Sequence, residues 1–271
     1  MTDEASAPRG TERRVGDVTF VFDYGRGSTA DRFLIRKPPD LFQLYVDLAP
    51  DLQGATIVEL GIAAGGSTAL LSLLARPHAL IACELDTERV GALDEFIEAR
   101  ELGSVVRPFY GIDQADRARL AALLDRELPG QALDLVIDDA SHRYDETKAS
   151  FEVLFPRLRR GGLFIIEDWA ADYAYAERIE ATLSDPSSPE AAALDRRLAE
   201  TVVAGSGESW PLPRIGVELL HICGGSDGVV AKLEINKHWI AAERGPSELD
   251  LATFRLNDHV VDRWGWLSAQ A

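Results

Sequence analysis

Two pairs of adjacent acids, Asp138-Asp139 and Glu167-Asp168, close two short apolar runs at 133–137 and 163–166, and His142 follows the first pair by three residues. Carboxylates gathered at one rim repel each other and raise each other's pKa unless positive charge sits among them. A hard divalent cation is the simplest neutraliser, because oxygen ligands suit magnesium, manganese or calcium. A histidine on the loop leaving such a cluster stands where a general base works. The plainer reading is that each pair caps the helix after it and that His142 is structural.

A second constellation lies upstream, at Glu59-Leu60-Gly61-Ile62-Ala63-Ala64-Gly65-Gly66-Ser67. Glycines let a chain turn sharply and approach a ligand with no Cβ in the way. A helix opening near Ser67 offers unpaired N–H groups suited to a carboxylate. The spacing is not the G-x-G-x-x-G of dinucleotide folds, and no Lys follows as a phosphate-binding Walker loop requires. About twenty residues on comes Glu84-Leu85-Asp86, and then Gly111-Ile112-Asp113-Gln114, each after an apolar run.

These residues need a scaffold, and the pattern from 56 to 169 supplies one. Apolar runs at 56–60, 79–83, 105–110, 133–137 and 163–166 alternate with helix-like segments at 67–75, 87–100, 116–127 and 146–158. Short strands that are apolar throughout belong to a parallel sheet covered on both faces. The alternation predicts an α/β fold, a doubly wound and mostly parallel seven-stranded sheet closed by an antiparallel C-terminal hairpin. In such sheets ligands bind beyond the carboxyl ends of the strands, which is where the acids, the glycines and His142 fall.

Around this core the expectations are coarser. Residues 1–16 read as a loose tail, 18–22 as a strand, 23–37 as a loop and 39–49 as a helix. Residues 184–213 read as an insertion with a helix at 190–203, and 217–223 with 229–235 as the closing hairpin. Trp264 and Trp266 suggest that the C-terminal end packs on something. The domain division expected is an N-terminal arm and leading helix at 1–50, a main domain at 51–240 and a C-terminal extension at 241–271.

Composition narrows the partners. The 271 residues fit one large α/β domain with a modest appendage, and the formal charge is −17. So acidic a chain is repelled by phosphate backbones and anionic lipid, which argues against nucleic-acid and membrane partners. Cys83 and Cys223 match no disulfide framework or zinc spacing, and residues 1–14 lack a signal peptide's apolar core, so the cytoplasm is the expected location.

The glycine loop resembles motif I of class I S-adenosylmethionine-dependent methyltransferases, E/D-x-G-x-x-x-G. That resemblance implies a cofactor site formed by Glu59, Gly61, Gly65 and Ser67. Glu84, with Asp86 as the fallback, would accept the ribose hydroxyl protons, and Asp113 and Gln114 would lie at the adenine. The stretch from Asp138 to Asp168 is sharper still. Asp-Asp-x-Ser-His, then Phe-x-x-Leu-Phe-Pro-x-Leu-x-x-Gly-Gly-x-x-x-Ile-Glu-Asp, resembles the Mg-dependent sugar O-methyltransferases of macrolide biosynthesis, the mycinamicin type. Cephalosporin hydroxylase-like methyltransferases are related. By this resemblance Asp139, Glu167 and Asp168 would hold Mg²⁺ or Mn²⁺, His142 would be the general base, and Asp138 would face the methionine end of the cofactor. Lys37-Pro38-Pro39-Asp40 resembles the Lys-x-Pro-x-Asp segment of the same family. Ala140 departs from the pattern, since relatives often carry Gly there.

The implied function is S-adenosylmethionine- and Mg²⁺-dependent O-methylation of a small saccharide or glycoside, a natural-product deoxysugar or a polysaccharide precursor. A catechol-type O-methyltransferase, a metal-dependent hydroxylase or hydrolase on the same acids, and an idle binding protein of the same fold are the alternatives. Relatives of this kind often self-associate, which leaves a homo-oligomer open.

Overall fold

Segments rich in valine, isoleucine, leucine and alanine, four to six residues long apart from one of ten, form the strands; segments with leucines three and four apart form the helices between them. The computed structural model describes residues 12–23, 27–171, 173, 210–225, 227–263 and 265. Strands β4 (Thr56–Leu60), β5 (Ala79–Glu84), β6 (Val106–Tyr110), β7 (Leu133–Asp138), β8 (Leu158–Glu167), β9 (Val230–Ile235) and β10 (Trp239–Arg244) make a seven-stranded sheet in the order β6-β5-β4-β7-β8-β10-β9. The pairs around β4 and β5 are parallel, whereas β10 runs antiparallel to both β8 and β9. The expected α/β class, mostly parallel sheet and antiparallel end are therefore the observed fold. The chain divides into two compact units, residues 1–114 with 118–140 and residues 115–117 with 141–271.

In the first unit, β4 lies between β5 and β7 with Ile57 opposite both Leu80 and Leu135, and all three side chains are fully buried. Helices α2 (Gly66–Ala75), α3 (Gly91–Ala99) and α4 (Arg117–Glu127) connect the strands. Eight of the ten α2 residues are buried, so this helix is apolar around most of its circumference. Ahead of the sheet, β1 (Glu12–Val15), β2 (Val18–Phe22) and β3 (Arg32–Ile35) form a small sheet of their own, followed by α1 (Pro39–Leu48). Phe20, Phe33, Phe42 and Phe96 pack there at centroid distances of 5.5–6.3 Å. Two expectations fail here: residues 12–15 belong to a strand rather than a loose tail, and the presumed loop at 23–37 contains β3. Pairing explains both, since β2 gives β1 antiparallel and β3 parallel backbone partners that four-residue segments cannot find alone.

In the second unit, α5 (Tyr144–Leu154) and β8 share an aromatic core in which Phe151 stacks on Phe155 at 4.5 Å and meets Phe164 at 4.7 Å. The closing hairpin is β9 with β10, not 217–223 with 229–235. Residues 217–223 lie instead in helix α6 (Pro213–Cys223). Ile215, Leu219 and Ile222 recur at helical spacing and are buried, and Gly216 lets the side chain of Ile240 approach the helix backbone. The expected helix at 190–203, most of the insertion at 184–213, and Trp264 and Trp266 lie outside the described residues.

Candidate functional site

The turn after β4 is held by its own backbone and by one acid. Gly61 donates its N–H to the Cys83 carbonyl at 2.8 Å, and Gly65 donates to Ile62 at 2.8 Å. Gly61 has φ +95, and a Cβ on it would stand 2.1 Å from the carbonyl oxygen of Asp139. Gly65 has φ +83, and the next residue, Gly66, lies against the Leu34 carbonyl, which a Cβ would meet at 2.3 Å. Three glycines thus allow β4, β7 and β3 to approach the turn. The motif reading did not anticipate the β3 contact.

Glu84 binds that turn directly. Its Oε2 accepts the Ile62 and Ala63 N–H groups at 3.0 and 2.9 Å, and its Oε1 accepts the Asp86 N–H at 3.1 Å. A carboxylate has about four acceptor positions, so one remains for a ligand hydroxyl. Asp86 caps locally, accepting the Glu88 N–H at 2.9 Å. Of the two acids considered for the ribose, Glu84 is the one built into the loop.

Glu59, also expected at the cofactor, is fully buried, accepting a hydrogen bond from Thr68 Oγ1 at 2.6 Å. Burial pushes its carboxyl up to about 7, against hydrogen bonds from Ser67 and Thr68 that lower it. Asp113 is exposed, whereas Gln114 is buried and donates Nε2 to both Asp138 oxygens at 3.0 and 3.2 Å. Asp138 is therefore held against Gln114 inside the first unit. Asp139, next in sequence, forms a 2.6 Å ion pair with Lys37, whose side chain is 4% exposed. These two residues, Gly61 and Ser67 help line a cavity of about 30 Å³, room for one or two waters. The Lys37–Asp139 pair was not legible as a contact. The signal in the sequence was the Lys37-Pro38-Pro39-Asp40 segment, which nothing there tied to Asp139.

In the second unit, His142 and Asp168 each offer a ligand atom within 4.8 Å of the other. Both have positive φ, +54 and +50, as does Ala63 in the glycine turn at +48. Non-glycine residues rarely adopt this conformation, and it gathers at sites where ligands are held. Asp168 is exposed, His142 is half-buried, and Glu167 at the last position of β8 is buried. Asp139 stands three residues before His142 on the loop between β7 and α5. Carboxylate oxygens such as those of Asp168 are donors that a hard divalent cation such as Mg²⁺ or Mn²⁺ accepts, whereas the imidazole of His142 is suited to proton transfer.

Residues 58–169 match the profile of the methyltransferase domain family. The mycinamicin VI 2''-O-methyltransferase of Micromonospora griseorubida is 36% identical over 78 residues, 23% of this chain and 20% of that protein. A tRNA (guanine-N(7)-)-methyltransferase of Polaromonas sp. (strain JS666) is 29% identical over 197 residues, 67% of this chain and 74% of that one. Among solved structures, the O-methyltransferase TomG from Streptomyces achromogenes, in complex with S-adenosylmethionine, superposes with a TM-score of 0.50. It is 16% identical, and the match covers 78% of this chain and 82% of that one, a likeness of fold. The matches to the mycinamicin enzyme and two further O-methyltransferases, those named for rhamnosyl tetracenomycin-C and demethylmacrocin, span 14–20% of those relatives' own lengths. The segment from 58 to 169 that matches the methyltransferase domain profile holds every expected site residue from Glu59 to Asp168.

Proposed function

We propose that the chain is an S-adenosylmethionine- and Mg²⁺-dependent O-methyltransferase acting on a carbohydrate hydroxyl of a saccharide or glycoside. The observation that carries this reading is the pairing of His142 with Asp168, both at positive φ, in the loops that follow two strand ends. The sugar-methylating relatives, whose names place methyl groups on glycosylated natural products, point to the same acceptor class.

The glycine turn holds the cofactor, with Glu84 fixing the Ile62 and Ala63 amides and accepting from a ribose hydroxyl at its remaining acceptor position. Glu59, Gly61, Gly65, Ser67, Asp113, Gln114 and Asp138 complete that side. Asp139, Glu167 and Asp168 are the residues to hold the dication, which would supply positive charge beside an oxygen that becomes negative. Methyl transfer is an in-line displacement at carbon. The acceptor oxygen forms the new C–O bond, the C–S bond breaks, and its electron pair stays on sulfur as the neutral thioether. A sugar hydroxyl attacks well only as its proton leaves, and a ring nitrogen of His142 takes that proton. The remaining contribution is alignment of donor and acceptor.

A radiolabelled methyl-transfer screen over small saccharides and glycosides, with and without magnesium, tests the reading. Label should enter a sugar only with the metal present. Full activity in EDTA would overturn the metal assignment, and label in phenols but not sugars would overturn the acceptor.

The tRNA-methylating relative favours a second reading, transfer to a guanine nitrogen, because its match covers two thirds of this chain. The net charge of −17 weighs against a polyanionic acceptor. Unfractionated tRNA in the same screen separates the two.

A further inference from the structure

The second unit contains a cavity of about 480 Å³ that the proposed chemistry does not use. Trp169, Tyr173 and Trp210 line it together with Val217, Leu220 and Ile235. Its volume is that of a small-molecule site. Val217, Leu220 and Ile235 are 41%, 57% and 47% exposed, so α6 and β9 present apolar side chains to a concave space instead of burying them. Trp169 and Tyr173 meet edge to face at 6.3 Å, and the Arg214 guanidinium lies 3.8 Å over the Trp210 ring.

The Arg214 guanidinium and the Trp169 indole of the wall are already engaged. Arg214 donates Nε to buried Glu218 at 3.0 Å, Glu218 also accepts the Tyr144 hydroxyl at 2.7 Å, and Trp169 donates its indole N–H to the Asn236 carbonyl at 2.7 Å. A second sugar ring would need several hydrogen bonds that this lining does not offer. An anion would find the Arg214 charge paired with Glu218. The lining suits a flat, uncharged, apolar ring system. Trp169 directly follows Asp168, so a ligand in the cavity lies one residue along the chain from the acid proposed for the metal.

We infer that the cavity lined by α6, β9, Trp169 and Tyr173 binds the apolar polycyclic aglycone of a glycoside whose sugar is the methyl acceptor. This deepens the proposed function and rests on it for the sugar, while aglycone binding can be measured without methyl transfer.

The test compares a rhamnoside of an anthraquinone with methyl α-L-rhamnoside, using the full chain and its Val217→Asp and Leu220→Asp variants. Both positions are solvent-facing, so the variants should keep the wild-type circular dichroism and thermal midpoint. The expected result is a kcat/KM preference for the anthraquinone rhamnoside that falls about ten-fold or more in each variant, mainly through KM. Independently, an unglycosylated anthraquinone should quench tryptophan fluorescence of the wild type and not of the variants. If quenching occurs but no sugar is methylated, the acceptor reading fails and the cavity assignment survives. An unchanged preference with no quenching overturns the cavity assignment. So does a dimer that both variants convert to monomer with the preference intact, since a second copy would then be the occupant.

Discussion

Glu59 loses its water on folding, and its carboxyl titrates near 7 rather than near 4.5. The folded chain therefore binds this proton more tightly than the unfolded chain does. Stability from this group is full below about 4.5 and is lost as pH rises through about 7. Glu59→Gln should remove that slope, with a difference between the two proteins on the order of 3 kcal/mol at most by pH 8. Urea unfolding from pH 5.5 to 8 measures it, and parallel curves would show that the carboxyl is not held neutral. The chemistry predicted at the same scale is separate. His142→Ala should lower turnover by roughly 10²-fold or more, the usual contribution of a general base, while S-adenosylmethionine affinity stays within about two-fold. Near-normal turnover would remove His142 from that role. Glu84→Ala should do the reverse, weakening calorimetric binding of S-adenosylmethionine, because two amides of the glycine turn lose their acceptor. Undiminished affinity would detach Glu84 from the cofactor.

At the scale of elements, the close approach of strands dictates which turns can exist. A methyl at Gly61 would collide with the main-chain oxygen of Asp139, which cannot swing away as a side chain could. Gly61→Ala should therefore cost at least about 2 kcal/mol, from the clash and from the left-handed φ together. Thermal unfolding checks it, and a wild-type midpoint would mean that β7 yields. The α/β alternation from Thr56 to Trp169 was legible because buried parallel strands are apolar throughout and the acids and glycines mark their ends. Both acid pairs, the glycine turn and His142 were singled out as candidates on that basis. Helix α6 was not. Val217, Leu219 and Ile222 with Cys223 look like a strand, and only Ile215, on the far side of Gly216, completes the helical spacing. Leu219→Ala in its buried face should cost about 2–5 kcal/mol, as a leucine facing water in a strand would not. Lys37 with Asp139 was illegible for another reason. The partners are 102 residues apart, and only the packing of β3 against the glycine turn brings them together.

For the molecule as a whole, the excess of 45 acids over 28 bases sets which acceptors can approach. No helix among the described residues is long and apolar enough to cross a membrane. An uncharged glycoside meets no long-range barrier, so its kcat/KM should change less than about two-fold between 50 and 300 mM salt, because there is no charge on the acceptor for salt to screen. A nucleic acid behaves differently. Each phosphate contact releases counterions, so a protein that binds tRNA through several basic side chains loses about 10³–10⁵ in affinity between 50 and 200 mM salt. A chain of net charge −17 that used tRNA would need a local basic surface strong enough to overcome its own field, and would betray it by that dependence. Filter binding of tRNA at 50 mM salt should show no retention at micromolar protein. Retention that vanishes steeply with salt, together with methyl transfer to tRNA, would reverse the choice of acceptor. A salt-independent rate on an anthraquinone rhamnoside would leave the glycoside as the molecule that this acidic surface admits.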